Sequence, residues 1–152
     1  MPAAKTVPVT GVDHIGIRVS DTDRALAFYR ALGFEMSHLA EGDPVAIIRN
    51  KDGVEINLIL NANDLNAGKN ILMDVPVKYP GYTHVALRVA SVAEAVAALK
   101  ANDIAITQGP VVFGADGHAS VFVRDPDRNV IELRGRMEDG KALGATAYKN
   151  EN

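Results

Sequence analysis

The stretch Val12-Asp13-His14-Ile15-Gly16-Ile17-Arg18-Val19 decides the fold. An apolar or small residue stands at nearly every position, as in a strand, and one histidine interrupts the run. Seventy residues further on comes Tyr82-Thr83-His84-Val85-Ala86-Leu87-Arg88-Val89. The two copies share His, aliphatic, small, aliphatic, Arg and Val in register, and a helical pattern follows each. That predicts a duplicated unit with a histidine at the same place in each half.

Working outward from the first copy, Asp21 or Thr22 can cap a helix that carries Ala25, Leu26, Phe28, Tyr29 and Leu32 on one face, stopped by Gly33. Strands are predicted near 34–39, 45–49 and 54–60, with turns at Glu41-Gly42-Asp43-Pro44 and Asn50-Lys51-Asp52-Gly53. The first module, about 11–60, therefore reads β-α-β-β-β. Residues 61–80 are polar with two prolines and form a connector, long enough to cover something or to reach a partner. The second module, about 81–136, repeats the order: a strand at 82–89, a helix at 92–101 with Ser91 and Glu94 as a capping box and Val92, Val96 and Leu99 toward the core, a short strand at 104–107, a Gly-rich loop from Gly109 to Gly117, and strands at 120–124 and 129–134. Residues 1–10 read as a loose leader. The polar tail, 137–152, is either disordered or packed on a neighbour.

Length and composition bound the function. A chain of 152 residues with 47% hydrophobic and 23% charged residues is expected to be one globular domain. A net charge of −3 and few aromatics argue against a nucleic-acid partner. The start lacks an apolar signal segment and no apolar run approaches the roughly 18 residues of a membrane span, so a cytoplasmic protein with no membrane partner is expected. Without cysteine, any metal site must use His, Asp and Glu.

Residues i and i+2 of a strand share a face. Val130, Glu132 and Arg134 thus share one face, with Ile131 and Leu133 on the other. Aligning 52–58 with 127–133 puts Asn57 at the pseudo-twofold mate of Glu132, with Glu55 two residues before it on the same face. Four quasi-equivalent polar positions emerge on apolar strands: His14, Asn57 (or Glu55 by a two-residue slip), His84 and Glu132. A lone strand histidine is commonly a satisfied core residue, and a lone strand glutamate commonly faces water. Burying both at matched places without partners costs several kcal/mol, which the repeat makes hard to overlook. Two imidazoles and a carboxylate form a set suited to Zn, Ni, Fe, Mn or Co, and the same set serves non-haem iron oxygenases. Either reading is open on the residues alone.

Residues 11–136 resemble the vicinal-oxygen-chelate superfamily, which includes glyoxalase I, bleomycin-binding proteins, fosfomycin-modifying enzymes and extradiol dioxygenases. The strings that carry the resemblance are Asp13-His14-Ile15-Gly16-Ile17-Arg18-Val19, Ala27-Phe28-Tyr29-Arg30-Ala31-Leu32-Gly33-Phe34, Tyr82-Thr83-His84-Val85-Ala86-Leu87, and Phe122-Val123-Arg124-Asp125-Pro126-Asp127-Arg128-Asn129-Val130-Ile131-Glu132-Leu133. The resemblance implies an α+β fold of two βαβββ modules forming an open eight-stranded cup. It implies a homodimer, with the site either within one chain or shared between the two, a small-molecule substrate, and one divalent metal at His14, His84 and Glu132. It implies glyoxalase-type lyase or isomerase chemistry on an α-oxo or hydroxy-carbonyl compound, with Glu132 as base and Glu55 as a second base if the strand slips. Arg18 and Asn61 stand where glyoxalase I-like proteins bind the glutathione moiety, and Asn57 stands where they carry Glu or Gln. His118 is a candidate acid/base toward the substrate, or else a solvent-facing loop residue. Tyr82 and Phe113 could line the pocket, and His38 reads as structural. The neutral Asn57 also favours a second chemistry, Fe(II)- or Mn(II)-dependent extradiol ring cleavage by a 2-His-1-Glu triad. A third reading is a non-catalytic drug- or metabolite-binding protein.

Overall fold

The first helix pattern becomes α1 (Thr22–Ala31), where Asp21 takes the cap position and its carboxylate accepts the Arg24 amide. It crosses from β1 (Ile15–Arg18) to β2 (Glu35–Leu39), which continues through β3 (Val45–Arg49) and β4 (Glu55–Ile59). The computed structural model describes residues 5–39, 42, 44–65, 67–113, 117–136 and 143–147. The predicted turn at 41–44 lies partly outside them. The second unit is β5 (His84–Arg88), α2 (Val92–Ala101), β6 (Ile106–Val112), β7 (His118–Arg124) and β8 (Val130–Arg136), joined by a short β9 (Thr146–Ala147). Ser91 caps α2 by accepting the Glu94 amide.

The strands form two open sheets, in the orders β1-β4-β3-β2 and β5-β8-β7-β6-β9. In each, the first strand lies parallel to the last of its βαβββ unit, and the hairpin partners are antiparallel. The α+β class with two βαβββ units follows the sequence reading, but among the described residues the strands number nine because part of the tail pairs in parallel with β6. Residues 137–142 and 148–152 of that tail lie outside the described residues. A second difference is β6 itself. The Gly109-Pro110 pair reads as the start of a loop, yet the strand runs through it with shifted register. A Cβ at Gly109 would fall 2.5 Å from the Ser120 carbonyl oxygen, and its φ is +97°, so only glycine lets the two strands come this close here.

Alternation then sorts each strand into two faces. Ile56 and Leu58 of β4, with Ala46 and Ile48 of β3, are buried beneath α1, which contributes Ala25, Leu26, Phe28 and Tyr29. Ile131 and Leu133 of β8 and Val121 and Val123 of β7 do the same under Val92 and Leu99 of α2. Each fully buried large apolar side chain contributes roughly 1.5–3 kcal/mol. The opposite faces carry the polar residues singled out above.

One turn supplies most of the polar seam between the halves. Asp125, between β7 and β8, is buried and accepts the Tyr29 hydroxyl of α1 at 2.8 Å. Asp127 accepts both the amide and the hydroxyl of Ser20, and Asn129 donates to the Arg18 carbonyl at 3.1 Å. Burial pushes the Asp125 carboxyl up, opposed by its hydrogen bonds from Asn129 and Tyr29. Burial and the neighbouring Asp125 push the Tyr29 phenol up as well.

The connector does cover something. Asn70 folds it into a tight turn by accepting the Leu72 and Met73 amides. Asp74 then pins it to the second unit through Arg128, at 2.7 and 3.0 Å, and Arg124. The Arg128 hydrogen bonds hold the Asp74 carboxyl well below the usual carboxylate range.

Candidate functional site

Register settles how the two halves correspond. Gly16 lies opposite Asn57 in the β1–β4 ladder, and Ala86 lies opposite Glu132 in the β5–β8 ladder. Asn57 is therefore the mate of Glu132, as the alignment predicts. No bulge interrupts β4. The two-residue slip that would bring Glu55 to the place of Asn57 does not occur. Glu55 instead lies beside His14, with 3.8 Å between its Oε2 and His14 Nδ1. Its other oxygen is gripped by Arg49, from Nη2 at 2.6 Å and Nε at 2.8 Å. A carboxylate held by a guanidinium fork is a poor mobile base.

Both histidines are oriented by the residue before them. His14 Nδ1 is bonded to Asp13 Oδ1 at 2.6 Å, and His84 Nδ1 to Thr83 Oγ1 at 2.9 Å. The Asp13 carboxylate can only accept, which places the His14 proton on Nδ1, and Thr83 positions His84 through the same ring nitrogen; a metal-ligating imidazole is held in this way, with Nε2 as the ligand. His84 Nε2 stands 3.8 Å from Glu132 Oε2, on a carboxylate that is 9% exposed. Asn57 Oδ1 is buried and has no hydrogen-bond partner. A lone carbonyl oxygen left in this state costs about 1–3 kcal/mol unless something donates to it or is ligated by it. Two Nε2 atoms, a carboxylate and an unsatisfied amide oxygen make a donor set that fits a divalent ion.

The single chain does not gather all of that set. Among the described residues, the imidazole and carboxylate groups with ligand atoms all within 4.8 Å of one another are Asp13, His14 and Glu55. His14 and His84 line one cavity of about 480 Å³ with Val12, Tyr82 and Leu72, but His14 does not close on His84 and Glu132 to that distance.

Two further cavities adjoin. One of about 580 Å³ occupies the open face of the second sheet, with His84 and Glu132 against Phe113, Phe122, Arg134 and Met73. The other, about 770 Å³, is a polar groove holding Arg18 and Asn61, where Arg18 Nε donates to Asn61 Oδ1 at 2.9 Å. Of the remaining expected residues, Phe113 and Tyr82 do line cavities. His118 begins β7 opposite Arg136 and lines none of the three, and His38 lies on the exposed β2. Arg134 and Phe122 escaped the sequence reading. The signal was available: Arg134 is two residues beyond Glu132 on the same face, and Phe122 pairs with Glu132 across the β7–β8 ladder.

Residues 11–133 match the Glyoxalase/Bleomycin resistance protein/Dioxygenase superfamily. The chain belongs to this superfamily. It is 30% identical over 132 residues to the glyoxalase domain-containing protein RDO1 of Mycosarcoma maydis, covering 85% of this chain and 70% of that protein. A glyoxalase/dioxygenase from Nostoc punctiforme superposes with a TM-score of 0.67 at 22% identity, over 90% of this chain and 99% of that one. The integron cassette protein VCH_CASS1 of V. cholerae gives 0.62 at 23%, over 86% and 98%. At these identities the structures speak for the fold alone. Superfamily membership accounts for the paired βαβββ units and open sheets. Members commonly use a divalent metal, in keeping with the donor set above. Among the described residues no helix is long and apolar enough to cross a membrane.

Proposed function

We propose that this chain is a divalent-metal enzyme of the glyoxalase type, a lyase or isomerase acting on a small α-oxo or hydroxy-carbonyl compound, with His14, His84 and Glu132 as the ligands. The observation that carries the reading is the pairing of His84 Nε2 with the nearly buried Glu132 at 3.8 Å, each imidazole being held through Nδ1. A metal ion bound there supplies Lewis-acid polarisation of vicinal substrate oxygens. Glu132 is the base: it takes a proton from the carbon next to the polarised carbonyl and returns it to the neighbouring carbon or oxygen. The mate of Glu132 is the neutral Asn57, and Glu55 is engaged by Arg49, so the proton is shuttled by one carboxylate. Asn57 Oδ1 is available as a neutral fourth donor. Arg18 and Asn61 bind the polar remainder of the substrate from the adjoining groove.

A homodimer is part of the proposal. β1 and β5 are edge strands, Val12 is 85% and Tyr82 97% exposed beside them, and a single chain leaves His14 apart from His84 and Glu132. Two copies sharing a cup would bring one copy's His14 to the other's His84 and Glu132. The test is mixing. His14→Ala and His84→Ala are each expected to be inactive toward hemithioacetals and other α-oxo substrates with Ni²⁺ or Zn²⁺, and to regain activity when co-refolded. A wild-type protein that takes up no metal on titration sinks the whole reading.

Asn57 also favours a second reading, ring cleavage of a catechol by a 2-His-1-carboxylate site, because that chemistry needs no second charged ligand. Oxygen uptake with catechols after anaerobic Fe²⁺ loading distinguishes the two.

A further inference from the structure

The two imidazoles are tethered alike, but their carboxylates stand at opposite ring nitrogens. His14 Nδ1 has two near it, Asp13 Oδ1 at 2.6 Å and Glu55 Oε2 at 3.8 Å. His84 has its carboxylate on the other side, with Glu132 Oε2 at 3.8 Å from Nε2, while a hydroxyl, Thr83 Oγ1, lies 2.9 Å from Nδ1. An ionised carboxylate only accepts, whereas a hydroxyl donates or accepts by turning about its C–O bond. Carboxylates therefore draw the ring proton to Nδ1 in His14 and to Nε2 in His84. Glu132 is buried, so a proton on the nitrogen it faces counts for more there than it would in water. Asp13 leaves His14 one tautomer. Thr83 leaves His84 two: its hydroxyl donates to a bare Nδ1 while the proton is on Nε2, and accepts once the proton is on Nδ1. Thr83 is exposed, so its hydroxyl can trade partners with water as it turns.

We propose that the two histidines hold opposite tautomers when no metal is bound, and that Thr83 is a positioning residue whose hydroxyl lets the His84 proton change nitrogen when Nε2 becomes a ligand. A protonated Nε2 has no lone pair to give, so His14 is ready to ligate and His84 is not. In the change, the Nε2 proton leaves to water, water returns one to Nδ1, and the Thr83 hydroxyl turns from donor to acceptor. The ring is neutral before and after. Glu132 loses the proton it faced and is left to serve as ligand or base. The ligand role of Nε2 rests on the metal-centre reading above. The opposed tautomers do not.

The test is long-range proton–nitrogen correlation NMR of the imidazoles, on EDTA-treated protein and after zinc loading, at about pH 8.5, where histidine is ordinarily neutral. After EDTA the proton is expected on Nδ1 in His14 and on Nε2 in His84, and with zinc on Nδ1 in both. Thr83→Asp sets an acceptor-only group at Nδ1 and should move the His84 proton there in EDTA-treated protein. Thr83→Val should weaken zinc binding about tenfold or more in competition titration, and Thr83→Ser should restore it. Valine keeps the branched shape of threonine, so a role in packing alone predicts no change. Three results would each overturn the proposal and leave the metal centre standing: both protons on the same nitrogen after EDTA, a His84 proton that stays on Nε2 in Thr83→Asp, or wild-type zinc affinity in Thr83→Val. Protein that takes up no zinc sinks the metal-centre reading and the ligand step with it. The opposed tautomers and their response to Thr83→Asp are read without metal, and stand or fall on those spectra.

Discussion

The two halves have the same connectivity, a histidine at the same place, and that histidine tethered through the same ring nitrogen. They differ at the partner position. The second half places the buried Glu132 opposite Ala86, where it meets His84. The first half places neutral Asn57 opposite Gly16 and moves its carboxylate two residues back, to Glu55, where Arg49 neutralises it. The two halves thus share the scaffold and the imidazole, while a carboxylate, the costly group to bury, stands at the partner position in one half only. The second half carries the charge chemistry, and the first contributes a histidine and an amide.

The sharpest way to break this asymmetry is to delete the two partner residues in turn. Glu132→Ala is expected to weaken divalent-metal binding at least about 100-fold in competition titrations, as loss of a charged ligand does, whereas Asn57→Ala stays within about tenfold. Equal losses would mean that the halves are equivalent after all. Next in size is the seam. Asp125→Ala removes the acceptor shared by Tyr29 and Asn129 and leaves buried donors unpaired, for a loss of about 2–4 kcal/mol by denaturant unfolding. Tyr29→Phe removes one of those bonds and should cost about half as much. A smaller effect runs the other way: Asn57→Glu restores the second carboxylate and is expected to tighten metal binding by about tenfold. If it does not, the orphaned amide oxygen does not face the ion.

The smallest effect is on the acid limb of stability. Asp74 has its pKa lowered by Arg128, so its contribution is present above the ordinary aspartate value, about 3.9, and fades as the pH falls through and below it. Wild type and Asp74→Asn should therefore differ slightly in Tm at pH 7, and the gap should only begin to narrow as the pH falls below the ordinary aspartate value, closing at still more acid pH. Asp125 has the opposite sign: its raised pKa favours the protonated fold, so it pulls stability down as the pH rises.

Much of the fold was legible because it rests on local rules that repeat. The Asp21 and Ser91 caps, the apolar stripe through Ala25 and Tyr29, and the two His strands each announce themselves within ten residues. The pairing of Asn57 with Glu132 was also readable, since a period of two leaves little freedom once Asp52-Gly53 and Asp127-Arg128 are aligned. The strand through Gly109-Pro110 was not, because a glycine's fitness for a close strand approach depends on the Ser120 carbonyl it meets, eleven residues away. Arg49's grip on Glu55 needed the β3–β4 register, and β9 needed a partner at Val111 and Val112 that no local pattern names. The strings most diagnostic of the superfamily turned out to build the seam: Tyr29, Asp125, Asp127 and Asn129 join the halves, and the candidate chemistry lies on the strands beside them.

The connector, finally, touches all three of the cavities described above. Met73 borders the one over the second sheet, while Asn70 and Leu72 border the other two. It hangs from the second unit by Asp74 and, among its described residues, carries no strand or helix on which either sheet depends. A lineage could therefore lengthen, shorten or re-letter this one segment and acquire a new substrate range in a single event, with the paired sheets and their histidines inherited untouched.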